Sequence, residues 1–143
     1  MQIHILRADI TSLKVDAIVA PSPPATLSQN GRATVVTGGN LLARFVIEVP
    51  VPHGTEPEAD MRLRNATIDA LERADELAVA IIGLPLLGKP SLGFSRERCA
   101  RVMLRAALDF RPRARSLQRA VFCVFGPEEY DIFQTVLKEL EGS

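Results

Sequence analysis

Tryptophan is absent from this chain, tyrosine occurs once and lysine only three times. So few aromatics leave little to stack bases along an extended groove, which weighs against nucleic-acid binding. No apolar run reaches the roughly 20 residues of a bilayer-spanning helix, so no membrane partner is expected. The opening Met1 to Asp9 lacks the basic-then-apolar layout of a secretory signal, and the expected location is cytoplasmic. Cysteine is limited to Cys99 and Cys123, and histidine to His4 and His53. Both cysteines fall inside apolar helix and strand patterns, which reads as two buried, reduced thiols. The histidines show no cysteine or carboxylate at ligand spacing, so no metal site and no cofactor are expected.

What is present is a 143-residue chain, 47% hydrophobic and 24% charged, a length and balance that suit one globular domain over residues 1–143. Its formal net charge is zero but unevenly spread. Of 17 basic residues 14 are arginine, and eight of these lie between Arg96 and Arg119 against Glu97 and Asp109, so that segment is locally +6 between acidic flanks. A basic patch attracts phosphate. Arginine on a helix face also reads as plain solvated surface, with Arg98, Arg101 and Arg105 pointing away from the core.

Gln2–Arg7 alternates apolar and polar residues as a half-buried strand does. Ala17–Val19 is an apolar strand, after which residues 20–40 turn to Pro, Ser, Gly and Thr around a short strand at Ala33–Thr37. Arg44–Val51 is a further strand, stopped by Pro50, Pro52 and Gly54. Pro57 and Glu58 open a helix reaching about residue 75, whose Ala59, Leu63, Ala66, Ala70 and Ala74 recur at helical spacing. An apolar strand over Leu77–Leu84 ends in a loop holding Pro85, Gly88, Pro90 and Gly93. A second helix runs from Ser95, as N-cap, to Phe110. Ala120–Phe125 is the last strand and Glu128–Leu140 the last helix. Strands joined by helices require right-handed crossovers, so the expected architecture is a three-layer α/β fold, a mixed, mostly parallel sheet with helices on both faces. Ligands of such sheets sit beyond the carboxyl ends of the strands, which marks the loop over 85–95 as a candidate site.

Ala8-Asp9-Ile10-Thr11, followed by Val15-Asp16-Ala17-Ile18-Val19, resembles the opening of macro domains, α/β modules that bind ADP-ribose. Ala33–Thr37, Gly38-Gly39-Asn40-Leu41 and Arg44-Phe45-Val46-Ile47 resemble that family's strand, turn and Tyr-Val-Ile-His strand, with Glu48 where His is usual. Leu84 to Ser95 resembles its second phosphate loop, and segment order is kept along nearly the whole chain. The resemblance implies that Asp9 accepts a hydrogen bond from the adenine amino group, that the Ile10 N–H meets the ring and that Phe125 packs on adenine. It also implies that Leu87, Gly88, Lys89, Ser91, Leu92, Gly93 and Phe94 wrap the diphosphate and distal ribose, chiefly through backbone N–H groups. Read as residues alone, Asp9 equally caps a turn at Ile10–Ser12, and Phe125 reads first as core.

The departures from the family are specific. Ala20-Pro21-Ser22-Pro23-Pro24 stands where the family has Asn-Ala-Ala-Asn and then a Gly-rich loop and helix, the source of the first phosphate loop and, in active members, of the group orienting the attacking water. Lys89-Pro90 replaces Thr-Gly, and Pro90 removes an N–H donor where a phosphate would meet one. No catalytic residue is therefore assigned. Three readings of function stand. The leading one is a non-catalytic module binding ADP-ribose or a related adenine nucleotide. The second is a structural or protein-interaction domain, with its cleft covered by a second subunit of a homodimer. The third is an arginine-mediated binder of nucleic acid or poly-ADP-ribose.

Overall fold

The computed structural model describes residues 1–22, 33–39 and 42–142. Its six strands, β1 (Gln2–Arg7), β2 (Ala17–Pro21), β3 (Thr34–Thr37), β4 (Phe45–Val49), β5 (Ile81–Leu84) and β6 (Arg119–Val124), form one sheet in the spatial order β1-β6-β5-β2-β4-β3. Every neighbouring pair is parallel except β3 with β4. The helices are α1 (Ala59–Glu76), α2 (Arg96–Phe110) and α3 (Pro127–Glu141).

From β4 through α1 to β5, and from β5 through α2 to β6, the chain steps in one direction across the sheet. Right-handed crossovers taken in one direction set their helices on one face, and α3 follows alongside. That face holds the main core, where Val19, Ile47, Ile82 and Phe122 of the strands meet Leu63, Met103, Leu104 and Phe133 of the helices. The connection from β1 to β2 steps the other way. Its 3-10 turn, Ile10–Ser12, crosses the opposite face, where Ile10, Leu13, Val15, Ile18, Val46 and Ile81 cluster. The α/β class and the mixed sheet are thus those expected, but the described helices share one face. Pro23 to Arg32, which include most of the segment read as replacing the family's loop and helix, lie outside the described residues, as do Asn40 and Leu41.

Local chemistry sets the element limits. Ser95 Oγ accepts the Arg98 N–H at 3.1 Å and starts α2 as expected of an N-cap. Glu58 stands outside α1 as its N-cap, with φ +60°. The strand expected from Leu77 begins only at Ile81. Leu77 and Ala78 instead close α1, with Ala78 at φ +60°, and the Ala80 and Ile81 N–H groups are taken by Asp16 Oδ2 at 3.1 and 3.0 Å. Both cysteines are free and buried, as expected.

Asp75, near the end of α1, holds the connection into β6. Its carboxylate accepts N–H groups from Arg115, Ser116 and Leu117 at 2.7 to 3.1 Å. Partial burial acts to raise its pKa, but donation from Leu117, Ser116 and Arg115, with the Arg115 charge, outweighs it, and the net value lies below 3.8. A depressed carboxyl contributes stability above its unfolded pKa and loses that contribution as pH falls through the folded one. Asp75→Ala should therefore cost about 1–3 kcal/mol in urea unfolding at neutral pH. The gap between parent and variant should narrow as pH drops below 3.8.

Candidate functional site

The loops after β1, β4, β5 and β6 emerge along one edge of the sheet, the carboxyl end of its parallel strands. The β1–β6 register pairs Arg7 with Val124. The Ala8 N–H donates to the Val124 carbonyl at 3.1 Å, and Arg7 Nε donates to the Phe125 carbonyl at 3.1 Å. These bonds set Ala8, Asp9 and Ile10 beside Phe125. Phe125 is 72% exposed, which corrects its reading as core: nothing described packs beyond the end of β6, so the apolar strand pattern runs on past its cover.

Asp9 Oδ1 accepts the Thr11 N–H at 2.9 Å and the Thr11 hydroxyl at 2.8 Å. It caps the turn, and these bonds, the backbone one foremost, hold its carboxyl below the ordinary value. Oδ2 of Asp9 and the N–H of Ile10 have no hydrogen-bond partner among the described residues. One residue thus caps its turn with one oxygen and presents the other to solvent. The neighbouring Cys123 thiol is pushed up to about 12 by burial and then by the Asp9 charge. Burial also pushes Cys99 up to about 12, against an opposing effect of the Gly88 N–H. Neither thiol is a thiolate nucleophile at neutral pH.

The loop after β5 divides between core and solvent. Leu87 and Phe94 are buried at 1% exposure each, whereas Lys89, Pro90, Ser91 and Gly93 are exposed, and Leu92 is half-buried. Residues Pro90–Leu92 form a 3-10 turn. The N–H groups of Leu92, Gly93 and Phe94 are spent within it, on the carbonyls of Lys89, Pro90 and Lys89 at 2.9, 3.0 and 3.3 Å.

A second loop, after β4, lies against the first. The Gly54 N–H donates to the Leu92 carbonyl at 2.6 Å, and a Cβ on Gly54 would stand 2.5 Å from the Gly93 carbonyl oxygen. Gly93 has φ +84°, and a Cβ there would meet His53 Cε1 at 2.8 Å. Arg98 closes the joint. Its Nη1 donates to the Gly54 carbonyl at 2.9 Å, its Nε pairs with Asp60, and its guanidinium lies 4.6 Å from the Phe94 ring centroid. Arg98 therefore does not simply point away from the core, as its place in the helical stripe suggests: its guanidinium lies over the buried Phe94 ring. His53, Gly54 and Arg98 are residues that the sequence reading does not bring to the site. The only signal for them is the Pro-His-Gly turn after an apolar strand.

Most of the other arginines of the segment are paired in place, Arg113 with Glu72 among them. Arg96 pairs with Glu129 at 2.9 Å, Arg101 with Glu97 and Glu139 at 3.1 and 2.7 Å, Arg105 with Asp109 at 3.5 Å and Arg111 with Glu141 at 3.7 Å. Glu48 is half-buried on β4, in register with Ala20 and Thr34. A cleft of about 620 Å³ lies elsewhere, between the start of the β4–α1 loop and the Arg62, Asn65 and Asp69 flank of α1.

Gly93→Ala tests the loop as structure. The positive φ costs an L residue roughly 1–2 kcal/mol, and the clash with His53 adds to it. A drop of about 1–3 kcal/mol in thermal or urea stability is expected without any ligand. Loss of binding in a Gly93 variant therefore reports the loop's own conformation, and not the approach of a phosphate.

The family model for the Macro domain matches residues 16–103. An uncharacterized protein of Sulfolobus acidocaldarius is 36% identical over 107 residues, covering 74% of this chain and 57% of that protein. A macro domain-containing protein of Caldanaerobacter subterraneus subsp. tengcongensis is 32% identical over 113 residues, covering 78% of this chain and 64% of that protein. The match thus spans under two thirds of these relatives' own length. The Oceanobacillus iheyensis macrodomain, solved with ADP and as a variant with ADPR, superposes with TM-scores of 0.87 and 0.86 at 18% identity. These superpositions cover 96% and 97% of this chain and 90% and 93% of those chains. That likeness shows the fold, and the fold and the family model agree: the chain belongs to the Macro domain family.

Proposed function

We propose that this chain is a non-catalytic binding module for ADP-ribose or a related adenine nucleotide, acting in the cytoplasm as one domain over residues 1–143. Members of the family bind ADP-ribose. The observation that carries the reading is Phe125, 72% exposed at the end of β6. An isolated phenyl ring beyond a sheet edge gains nothing for the fold, but it offers a face to a purine. Beside it stand one acceptor, Asp9 Oδ2, and one donor, the Ile10 N–H, neither engaged by the described residues. An adenine edge presents an amino donor and a ring-nitrogen acceptor, and this pair complements it. Leu87, Gly88, Lys89, Ser91, Leu92, Gly93 and Phe94 then form the phosphate side. The exposed Lys89 and Ser91 face the ligand, and the buried Leu87 and Phe94 hold the loop.

One observation favours the second reading, a protein-interaction domain that has kept the fold without the ligand. The Leu92, Gly93 and Phe94 amides are spent inside the loop and Pro90 has none, which leaves the Lys89 and Ser91 N–H groups of this turn for a diphosphate.

Calorimetric titration with adenosine, ADP and ADP-ribose separates the two. Asn at position 9 still caps the turn, so Asp9→Asn should leave the melting temperature nearly unchanged while weakening nucleotide binding by about 1–3 kcal/mol. Phe125→Ala should weaken it by about 1–3 kcal/mol through lost stacking. Binding that is equal in parent and both variants would place the ligand elsewhere, and no binding at all would leave the interaction reading.

Hydrolysis needs a held water and donors placed for developing charge. Turnover of ADP-ribosylated protein or O-acetyl-ADP-ribose is expected at background, and turnover proportional to protein concentration would overturn the non-catalytic assignment. The third reading predicts tight, salt-sensitive binding of single-stranded RNA or poly-ADP-ribose. With six of the eight arginines of residues 96–119 paired to carboxylates, the chain should show neither at physiological salt.

A further inference from the structure

His53 stands on the loop between β4 and α1, exposed between the buried Pro52 and Gly54. Its Nδ1 accepts the Thr55 amide N–H at 3.3 Å and lies 2.7 Å from Thr55 Oγ. A backbone amide can only donate, so Nδ1 is an acceptor and the ring proton of the neutral imidazole sits on Nε2. The Nδ1–Cε1 edge lies over Gly93, 3.1 and 2.8 Å from where a side chain there would begin. Nε2 is bonded to Cε1, on the far side of it from Nδ1. No hydrogen bond engages Nε2 among the described residues.

The Gly93 end of the loop beneath it is short of donors, although the Lys89 and Ser91 N–H groups have no partner among the described residues. Pro90 has no N–H, and those of Leu92, Gly93 and Phe94 serve the loop's own carbonyls. A donor fixed beside Gly93 from the neighbouring loop stands where the loop's own amides are missing. Its direction is set by the Thr55 bonds and by the Gly54 joint to Leu92 and Arg98, so little freedom is lost when it engages a ligand.

We propose that His53 is a ligand-contacting residue of this site, its Nε2–H donating to a phosphate oxygen of a nucleoside diphosphate held against the Gly88–Gly93 loop. The inference rests on the nucleotide reading above and assigns it a specificity. His53 favours ligands that carry a diphosphate over the bare nucleoside, and it adds a donor at the Gly93 end of the loop, where the loop's own amides are spent.

Two substitutions separate donor from packing. His53→Phe keeps an aromatic ring on Gly93 without an N–H, and His53→Gln keeps an N–H donor without the ring. Titration calorimetry with ADP-ribose, ADP and adenosine on the full chain should find His53→Phe about tenfold or more weaker for ADP-ribose and ADP, as for a lost hydrogen bond to a charged group. Adenosine binding should be unchanged, and His53→Gln should keep more diphosphate affinity than His53→Phe. In the parent, the His53 Nε2 resonance in nitrogen-15 spectra should move with ADP-ribose and with inorganic pyrophosphate, and not with adenosine. If the parent binds ADP-ribose and His53→Phe binds it equally, this proposal fails and the nucleotide reading stands. An equal loss for adenosine and ADP-ribose assigns His53 to packing and also overturns it. A parent that binds none of the three nucleotides overturns both.

Discussion

Asp16 ties together the beginnings of three neighbouring strands. Its N–H donates to the Ile81 carbonyl at 2.9 Å, and its carbonyl accepts the Arg44 and Phe45 N–H groups at 3.0 and 3.3 Å. Its Oδ2 takes the Ala80 and Ile81 N–H groups at 3.1 and 3.0 Å. Parallel strands cannot share a hairpin, so each enters the sheet from a loop whose first amides need partners from elsewhere. A carboxylate supplies charge-assisted acceptors at such a point. With β2, β4 and β5 locked at their amino ends, their register is set. The loops over 50–56 and 85–95 then emerge close enough for Gly54 to meet Leu92. Asp75 does the same work for the entry to β6, and Asp69 accepts the Ala33 N–H just ahead of β3. The Asp-Ala-Ile-Val segment that carries part of the family resemblance thus contains a residue whose physical role is in the fold.

Much of this was legible in the sequence because helices announce themselves by spacing. The apolar stripes of α1, α2 and α3 and the Ser95 cap depend on residues within a few positions of one another. The start of β5 was not legible, since Leu77 to Ala80 are as apolar as the strand itself. What excludes them is the left-handed Ala78 and the distant Asp16 carboxylate. Phe125 shows the converse. Periodicity reports which residues alternate with polar ones, but burial also requires a covering element, and none described reaches past Val124. His53 has no periodic context at all. Its place beside Gly93 follows from the joint of Gly54 to Leu92 and Arg98, some forty residues along the chain.

Charge shows the same gap between chain and space. Along the sequence, residues 96–119 look strongly basic, yet Asp60 and Glu72 from α1 and Glu129, Glu139 and Glu141 from α3 flank α2 and the turn after it. Exposed pairs of this kind add little stability each. Their consequence is electrostatic: the phosphate-attracting field that a +6 segment would create is largely cancelled at short range, and beyond about 10 Å salt screens what remains.

The glycines of the candidate site argue less for a ligand than their motif suggests. Gly54 is fixed by the Gly93 carbonyl, and Gly93 by its own φ and the His53 ring, so both would be needed in an empty fold. What the fold leaves unused discriminates better. Burying a phenyl side chain is worth roughly 1.5–3 kcal/mol, and most of the Phe125 ring forgoes it. Among the described residues, Asp9 caps its turn with one oxygen and leaves the other without a partner, the Ile10 amide is unspent, and the His53 Nε2–H engages nothing. None of these groups stabilises the chain as it stands. Together they form an aromatic face, an acceptor–donor pair and a donor beside the loop over 85–95, all along one edge of the sheet, and it is this complement to a purine and a phosphate that the proposed nucleotide reading rests on.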